Sequence, residues 1–106
     1  MSERDKRLAM NEALFRELNE RVEERVPNAT RDETITVLCE CGNLDCTERI
    51  ALPVGAYREA HEHPARFVVV PGHGEPHVEE VVARGDGYEV VRKRGLAGEI
   101  AAELQG

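Results

Sequence analysis

The sequence predicts an α+β fold in which a long N-terminal helix packs on a small antiparallel sheet that carries a short inserted helix. Three observations predict it. The first 26 residues contain neither Gly nor Pro, short Val-rich segments follow, and Gly, Pro or Asp separates these segments. The chain of 106 residues has the size of one domain. We divide it into a helix at 1–26, a sheet at 33–94 and a tail or short helix at 95–106.

The predicted N-terminal helix ends where Pro27 prevents its continuation. Its apolar residues recur at helical spacing and form one stripe: Leu8, Phe15, Leu18, Val22 and Val26. We expect this stripe to face the sheet. Three of these residues, Leu8, Phe15 and Val22, are also spaced as in a heptad, so a homodimer through this helix stays open.

Two segments with alternating polarity, TITVLC and CTERIAL, are predicted to be strands joined by the turn CGNLD. Gly42 and Asn43 tolerate the positive φ that such a turn requires. Pro53 suits the first turn of a short helix, predicted over Val54–His61, which Pro64 closes.

The second half of the chain predicts three further elements. RFVVVP is a short apolar run between prolines, as expected of a buried strand. VEEVVARGDGYEVVRKR predicts a hairpin, because two Val-rich arms flank Asp86 and Gly87. The tail GLAGEIAAELQG is predicted to be helical from about Ala97 to Leu104.

The composition predicts a core that a cross-link would help. Aromatic residues make up only 4% of the chain and Trp is missing, so the core must be built from Val, Leu, Ile and Ala. A short chain also buries a smaller fraction of its surface than a long one.

The net charge and the distribution of apolar residues indicate which binding partners and which cellular compartment to expect. The net charge of -7 argues against nucleic-acid binding, which depends on Lys and Arg. The sequence contains no apolar run of the length that a membrane span needs, and its N-terminus lacks the apolar region of a secretory leader. We therefore expect a cytoplasmic protein, in which clustered cysteines are more often metal ligands than disulfides.

All three cysteines lie within one short stretch, CECGNLDC, with the spacing Cys-x-Cys-x4-Cys. This clustering predicts a zinc-knuckle hairpin with Cys39, Cys41 and Cys46 as ligands. Gly42 lets the backbone curl, so that N–H groups of the loop can donate to the sulfurs. Tetrahedral zinc needs four ligands, commonly Cys and His, so the fourth is expected to be a histidine.

His73 is the preferred fourth ligand. It lies between two glycines directly after the predicted buried strand, and small neighbours let the backbone approach a metal site. His77 and His63 remain alternatives. His61 is expected to be exposed like His63. Two acidic residues of the cysteine segment, Glu40 and Asp45, are expected to be solvated turn residues.

Four protein ligands leave no coordination position for water or substrate, which is typical of a structural site. The sequence also lacks an H-E-x-x-H motif, a G-x-S-x-G elbow and a phosphate-binding glycine loop. We therefore predict a zinc-stabilised, non-catalytic domain that acts through an unknown protein partner. One alternative is a redox or metal sensor, through zinc release or a [2Fe–2S] cluster. A zinc enzyme with an open coordination position is the third reading, if His73 does not bind.

Several motifs in this order resemble a family of small uncharacterised actinobacterial proteins: FRELNERV, CECGNLDCTERIAL, the short helix around Tyr57, RFVVVPGH and VEEVVARGDGYEVVRKR. The resemblance covers nearly the whole chain. It implies that Cys39, Cys41, Cys46 and His73 are the hallmark residues of a metal-binding fold in an actinobacterial setting, and it implies no activity. The chain departs from the family at Gly55, where an acidic residue is usual, and in its tail.

Overall fold

The computed structural model describes residues 3–26 and 28–94, and it confirms the α+β prediction. The described elements follow in the order α1 (Glu3–Glu24), β1 (Thr34–Leu38), β2 (Arg49–Pro53), α2 (Val54–His61), β3 (Arg66–Val69), β4 (Glu79–Gly85) and β5 (Tyr88–Lys93). The helix predicted from Ala97 to Leu104 lies outside the described residues. No helix in the described ranges has both the length and the apolar character that crossing a membrane requires.

The strands form two small antiparallel sheets. One consists of β1 and β2, with Val37 opposite Ile50, and the other has the order β3-β5-β4. The predicted strands beside the cysteines were too long, because β1 ends at Leu38 and β2 begins at Arg49. Cys39 to Cys46 therefore form a loop. Because its backbone lacks the regular pairing of a strand, its thiols can all point toward one place.

The predicted hairpin of β4 and β5 is confirmed. Gly85 pairs with Tyr88 across the turn, and Gly87 has a φ of +82°, which explains why glycine follows Asp86. The register shifts between Val81 and Ala83, so that β4 carries an irregularity near its centre.

The core lies where β1, β2, α2, β3 and β5 meet. Its buried members are mostly aliphatic, with Tyr57 and Phe67 as the largest side chains, and Cys39 and Cys41 belong to the same cluster. The predicted metal ligands thus adjoin the core, where an ion between them would add a cross-link to a small apolar cluster.

The prediction that the apolar stripe of α1 faces the sheet is wrong for Leu18 and Val22, whereas Leu8, Phe15 and Val26 are half-buried. Leu18 and Val22 are 39% and 40% exposed, and Leu14 and Met10 are more exposed still. The buried positions of the helix are instead Ala9, Glu12, Arg16 and Asn19. These four recur at steps of three and four, so α1 docks by a largely polar face.

Polar docking has a physical reason in the groups that α1 meets. Arg16 donates to the backbone carbonyls of His61, His63 and Arg66 at 2.7–3.1 Å. These carbonyls lie at and after the end of α2, where a helix leaves carbonyls without intrahelical partners. Glu12 meets the buried ammonium of Lys93 at 2.6 Å. An apolar helix face would have left these carbonyls without the Arg16 guanidinium and the buried ammonium of Lys93 with Glu79 alone.

Candidate metal centre

Three separate segments bring the four predicted ligand atoms together. Cys39 and Cys41 follow β1, Cys46 precedes β2, and His73 lies in the loop after β3. Their sulfur and ring nitrogen atoms all lie within 4.8 Å of one another. Within the described ranges, this is the group of Cys, His, Asp and Glu side chains with the geometry to hold a metal ion.

The distances match one tetrahedral ion. His73 Nδ1 lies 3.6 Å from Cys39 Sγ and 3.7 Å from Cys46 Sγ. For Zn–S bonds of about 2.3 Å and Zn–N bonds of about 2.0–2.1 Å, the tetrahedral angle places sulfur and nitrogen about 3.6 Å apart. These two separations fit one tetrahedral ion, and the other pairs of ligand atoms lie within 4.8 Å.

Each sulfur also receives one backbone N–H. The Val70 N–H donates to Cys39 Sγ at 3.3 Å, the Asn43 N–H donates to Cys41, and the Glu48 N–H donates to Cys46. A thiol is a weak acceptor, whereas a thiolate accepts such bonds strongly because it is charged. The backbone is thus arranged for three anionic sulfurs.

The three thiols differ in acidity. The hydrogen bond from the Cys39 thiol, with smaller contributions from the Asn43 N–H, His73 and Cys46, lowers the pKa of Cys41 to about 5 against the effect of burial. The same bond, together with burial, raises the pKa of Cys39, and burial raises the pKa of Cys46. Cys41 is therefore the most acidic of the three thiols.

Access to the cluster differs between its two sides. Cys39 and Cys41 are buried, whereas Cys46 and His73 are half-buried. The Cys46–His73 side therefore faces the surface, and a metal ion or an oxidant would reach the sulfurs there.

Gly42 explains how the loop makes its sharp curl. Its φ is +79°, a conformation that other L-residues rarely adopt. An added Cβ would also lie only 2.7 Å from the Leu8 carbonyl oxygen and from Glu12 Cγ. The loop thus passes directly against α1 at Gly42, so the segment that carries the cysteine ligands is in contact with the helix.

The other histidines stand apart from this group. His63 is exposed, and His77 lies 3.6 Å from Glu75. The expectation that His61 is exposed was wrong. Its side chain is only 7% exposed, its Nε2 contacts Glu40 at 3.0 Å, and its ring packs on Tyr57 with centroids 4.1 Å apart.

Glu40 corrects a second expectation. It was predicted to be solvated like Asp45, which is exposed, but its own side chain is fully buried between the two cysteines of the Cys-x-Cys pair. Its carboxylate accepts hydrogen bonds from Asn19 Nδ2 and the Val68 N–H at 2.8 Å and contacts His61 Nε2. These partners compensate a buried charge that would otherwise be very costly.

Asn19 is the residue that sequence reasoning missed. Its amide pairs with the backbone of Leu38 in both directions, donating to the carbonyl and accepting from the N–H at 2.8 Å. A weak signal was present, since Glu12, Arg16 and Asn19 fall on one helical face. That pattern alone is equally typical of a solvated face.

Comparisons with known proteins return no match among family models, curated proteins or solved structures. The resemblance to actinobacterial proteins therefore stays a prediction.

Proposed function

We propose that this protein is a zinc-stabilised, non-catalytic domain whose role is to contact other proteins. The observation that supports the metal most directly is that the ligand atoms of Cys39, Cys41, Cys46 and His73 all lie within 4.8 Å of one another. Two of the nitrogen–sulfur distances match tetrahedral zinc, and each sulfur receives a backbone N–H.

Zinc is preferred to a [2Fe–2S] cluster because all four ligand atoms lie within 4.8 Å of one another. One ion fits that spread. A two-iron cluster divides its four ligands between two metal atoms, which separates the pairs more widely. Zinc also suits a ligand set of three thiolates and one imidazole.

The structural role follows from the ligand count. Three thiolates, one neutral imidazole and a divalent cation give a site of net charge -1 with all four tetrahedral positions filled by protein. A closed site leaves no place for a substrate or an activated water, which supports a domain without catalysis. An enzyme would need one of the four ligands to detach.

The exposed apolar face of α1 supports the interaction role. We call Met10, Leu14, Leu18 and Val22 the outer stripe. They recur every four residues, and their exposure runs from 39% to 59%. A stripe of this kind on a helix is typical of a surface that meets a partner. We propose a second copy of this chain as the first partner to test, because an antiparallel pair of these helices would bring Leu14 against Leu18 and Met10 against Val22.

Metal content decides the first part of the proposal. Protein purified without added metal should carry one zinc per chain, by elemental analysis and native mass spectrometry, and should be colourless. His73→Ala should lose most of the zinc, whereas the matched changes His63→Ala and His77→Ala should retain it. Visible absorbance with bound iron, or zinc loss in the controls alone, would contradict the assignment.

Chelation tests the structural role. Removing the ion should unfold much of the domain, because the binding free energy of a structural zinc is part of the folding free energy. Circular dichroism before and after a strong chelator measures this. An unchanged spectrum after complete zinc removal would mean that the fold does not depend on the ion.

Light scattering tests the interaction role. If the outer stripe joins two copies, the wild type should have the mass of a dimer and Leu14→Glu or Leu18→Glu that of a monomer. Val82→Glu, a similar change of an exposed valine on β4, is the control. A wild-type mass that equals the mass of both α1 variants would refute the homodimer.

A redox sensor is the second candidate, and the half-buried Cys46 favours it. Oxidation of this sulfur would remove one ligand and release the ion. Mild peroxide should then release zinc from the wild type while the sheet of β3, β4 and β5 keeps its circular dichroism. Zinc that remains bound until the whole protein is denatured would argue against a sensor.

A further inference from the structure

We infer that zinc occupancy and the docking of α1 are coupled, and that the contact between Asn19 and Glu40 carries this coupling. The inference rests on the proposed zinc site and adds a consequence for regulation. The ion would govern whether the outer stripe is held in its present orientation.

The first step is the way α1 is held. Ala9 is its single fully buried apolar residue among the described side chains, whereas Glu12, Arg16 and Asn19 are buried and polar. Hydrogen bonds contribute little net free energy compared with apolar burial, but they depend strongly on geometry. The docking of α1 is therefore sensitive to small displacements of the groups that it binds.

The second step is where these bonds end. Asn19 binds both backbone groups of Leu38, the residue before Cys39, and donates to the carboxylate of Glu40, the residue after it. Gly42 follows Cys41 and lies against Leu8 and Glu12. The helix is thus attached to both sides of the Cys39-x-Cys41 pair.

The third step is the path from Glu40 to the histidine. Glu40 and Val68 exchange two hydrogen bonds, from the Glu40 N–H to the Val68 carbonyl and from the Val68 N–H to the carboxylate, both at 2.8 Å. Val70 then donates to Cys39 Sγ and accepts from the His73 N–H. Glu40 therefore joins the segment of Cys39 and Cys41 to the segment of His73 and to α1.

These contacts make Glu40 and Asn19 positioning residues for the site. When the ion holds Cys39, Cys41 and His73 together, Leu38 and Glu40 stand where the Asn19 amide can bind both. When the ligands separate, the same amide loses its partners. Linkage requires the reverse as well, so a weaker hold on α1 must lower zinc affinity by the same factor.

The test measures zinc affinity and helix docking in the same variants. Asn19→Ala and Glu40→Gln should weaken zinc binding about 10- to 100-fold in competition with a chromophoric chelator, the usual effect of altering groups that orient metal ligands. At saturating zinc, hydrogen exchange in peptides from α1 should rise in both variants, while peptides from β4 and β5 keep their protection.

Matched controls come from the same helix. Arg21→Ala and Glu17→Gln alter an exposed ion pair on α1 and should leave both zinc affinity and exchange unchanged. If Asn19→Ala does not fold, Asn19→Ser retains one hydrogen-bonding group and should give a smaller effect in the same direction.

Two results would overturn the coupling. The first is an unchanged zinc affinity in Asn19→Ala and Glu40→Gln although hydrogen exchange in α1 is faster. The second is an equal fall of zinc affinity in the Arg21→Ala control. Failure of the proposed function looks different, because wild-type protein would then bind no zinc at all. A wild type that binds zinc and a pair of variants with normal affinity would refute the coupling alone.

Discussion

Replacing Gly42 with alanine should destabilise the fold through two separable effects. The first is conformational, because the φ of +79° places an L-residue in the left-handed region, at a cost of about 1–2 kcal/mol. The second is steric. The new Cβ would lie 2.7 Å from the Leu8 carbonyl oxygen, a backbone atom that can move only if α1 shifts. Overpacking of this kind costs about 1–3 kcal/mol.

The sum is about 2–5 kcal/mol, a large part of the roughly 5–15 kcal/mol that stabilises a typical domain. Gly87→Ala provides a matched control. Gly87 has nearly the same φ, +82°, but an added Cβ there meets nothing within 4 Å. Gly87→Ala should therefore lower the free energy of unfolding only by the conformational cost. The difference between the two variants isolates the contact between the cysteine loop and α1.

Urea unfolding of both variants with excess zinc, followed by circular dichroism, measures this difference. We expect Gly42→Ala to be less stable than Gly87→Ala by about 1–3 kcal/mol. Equal losses would refute the reasoning, because they would mean that the cysteine loop does not press against α1. A lower affinity for zinc in Gly42→Ala alone would further support a contact that the site and the helix share.

Three other changes test separate parts of the fold. Leu52→Ala should cost about 2–5 kcal/mol in urea unfolding, because Leu52 is 1% exposed and the vacated volume lies in the core. Arg16→Ala should cost about 2–4 kcal/mol, because it leaves backbone carbonyls at the end of α2 without a charged donor. Burial lowers the pKa of Lys93, but the charges of Glu12 and Glu79 outweigh burial and raise it above its ordinary value of 10.5. The stability that Lys93 contributes is therefore complete below that value and should fall as the pH rises through the higher folded pKa, and Lys93→Met should flatten this alkaline decline in unfolding experiments.

The main elements of the fold could be predicted because they depend on local properties. Pro53 and Pro64 bracket α2, and its predicted range, Val54–His61, agrees with the structure. The hairpin of β4 and β5 follows from the conformational freedom of Gly87 between two Val-rich arms. Signals of this kind depend on residues that are close in sequence, so the packing of the rest of the chain does not change them.

The convergence of the three cysteines with His73 was also accessible to sequence reasoning, since clustered thiols and a glycine-flanked histidine have few other uses in one short domain. The roles of Glu40 and Asn19 were not. Each is a polar residue whose ordinary place is at the surface. Their burial depends on Leu38, Val68 and His61, which meet them only after the two sheets and α2 have assembled.

The orientation of α1, with a polar face buried and an apolar face exposed, connects these results. A helix that turns polar side chains inward gains orientation, because each bond has one partner and one geometry, but it gains little free energy compared with apolar burial. The chain has few large apolar residues, and it places Met10, Leu14, Leu18 and Val22 outside rather than in the core. Stability must then come from elsewhere, and an ion that fastens the cysteine loop to the segment of His73 would supply it at the point where α1 is bound. The inner face of the helix does not use the outer stripe, so this stripe would be the surface that the proposed partner covers.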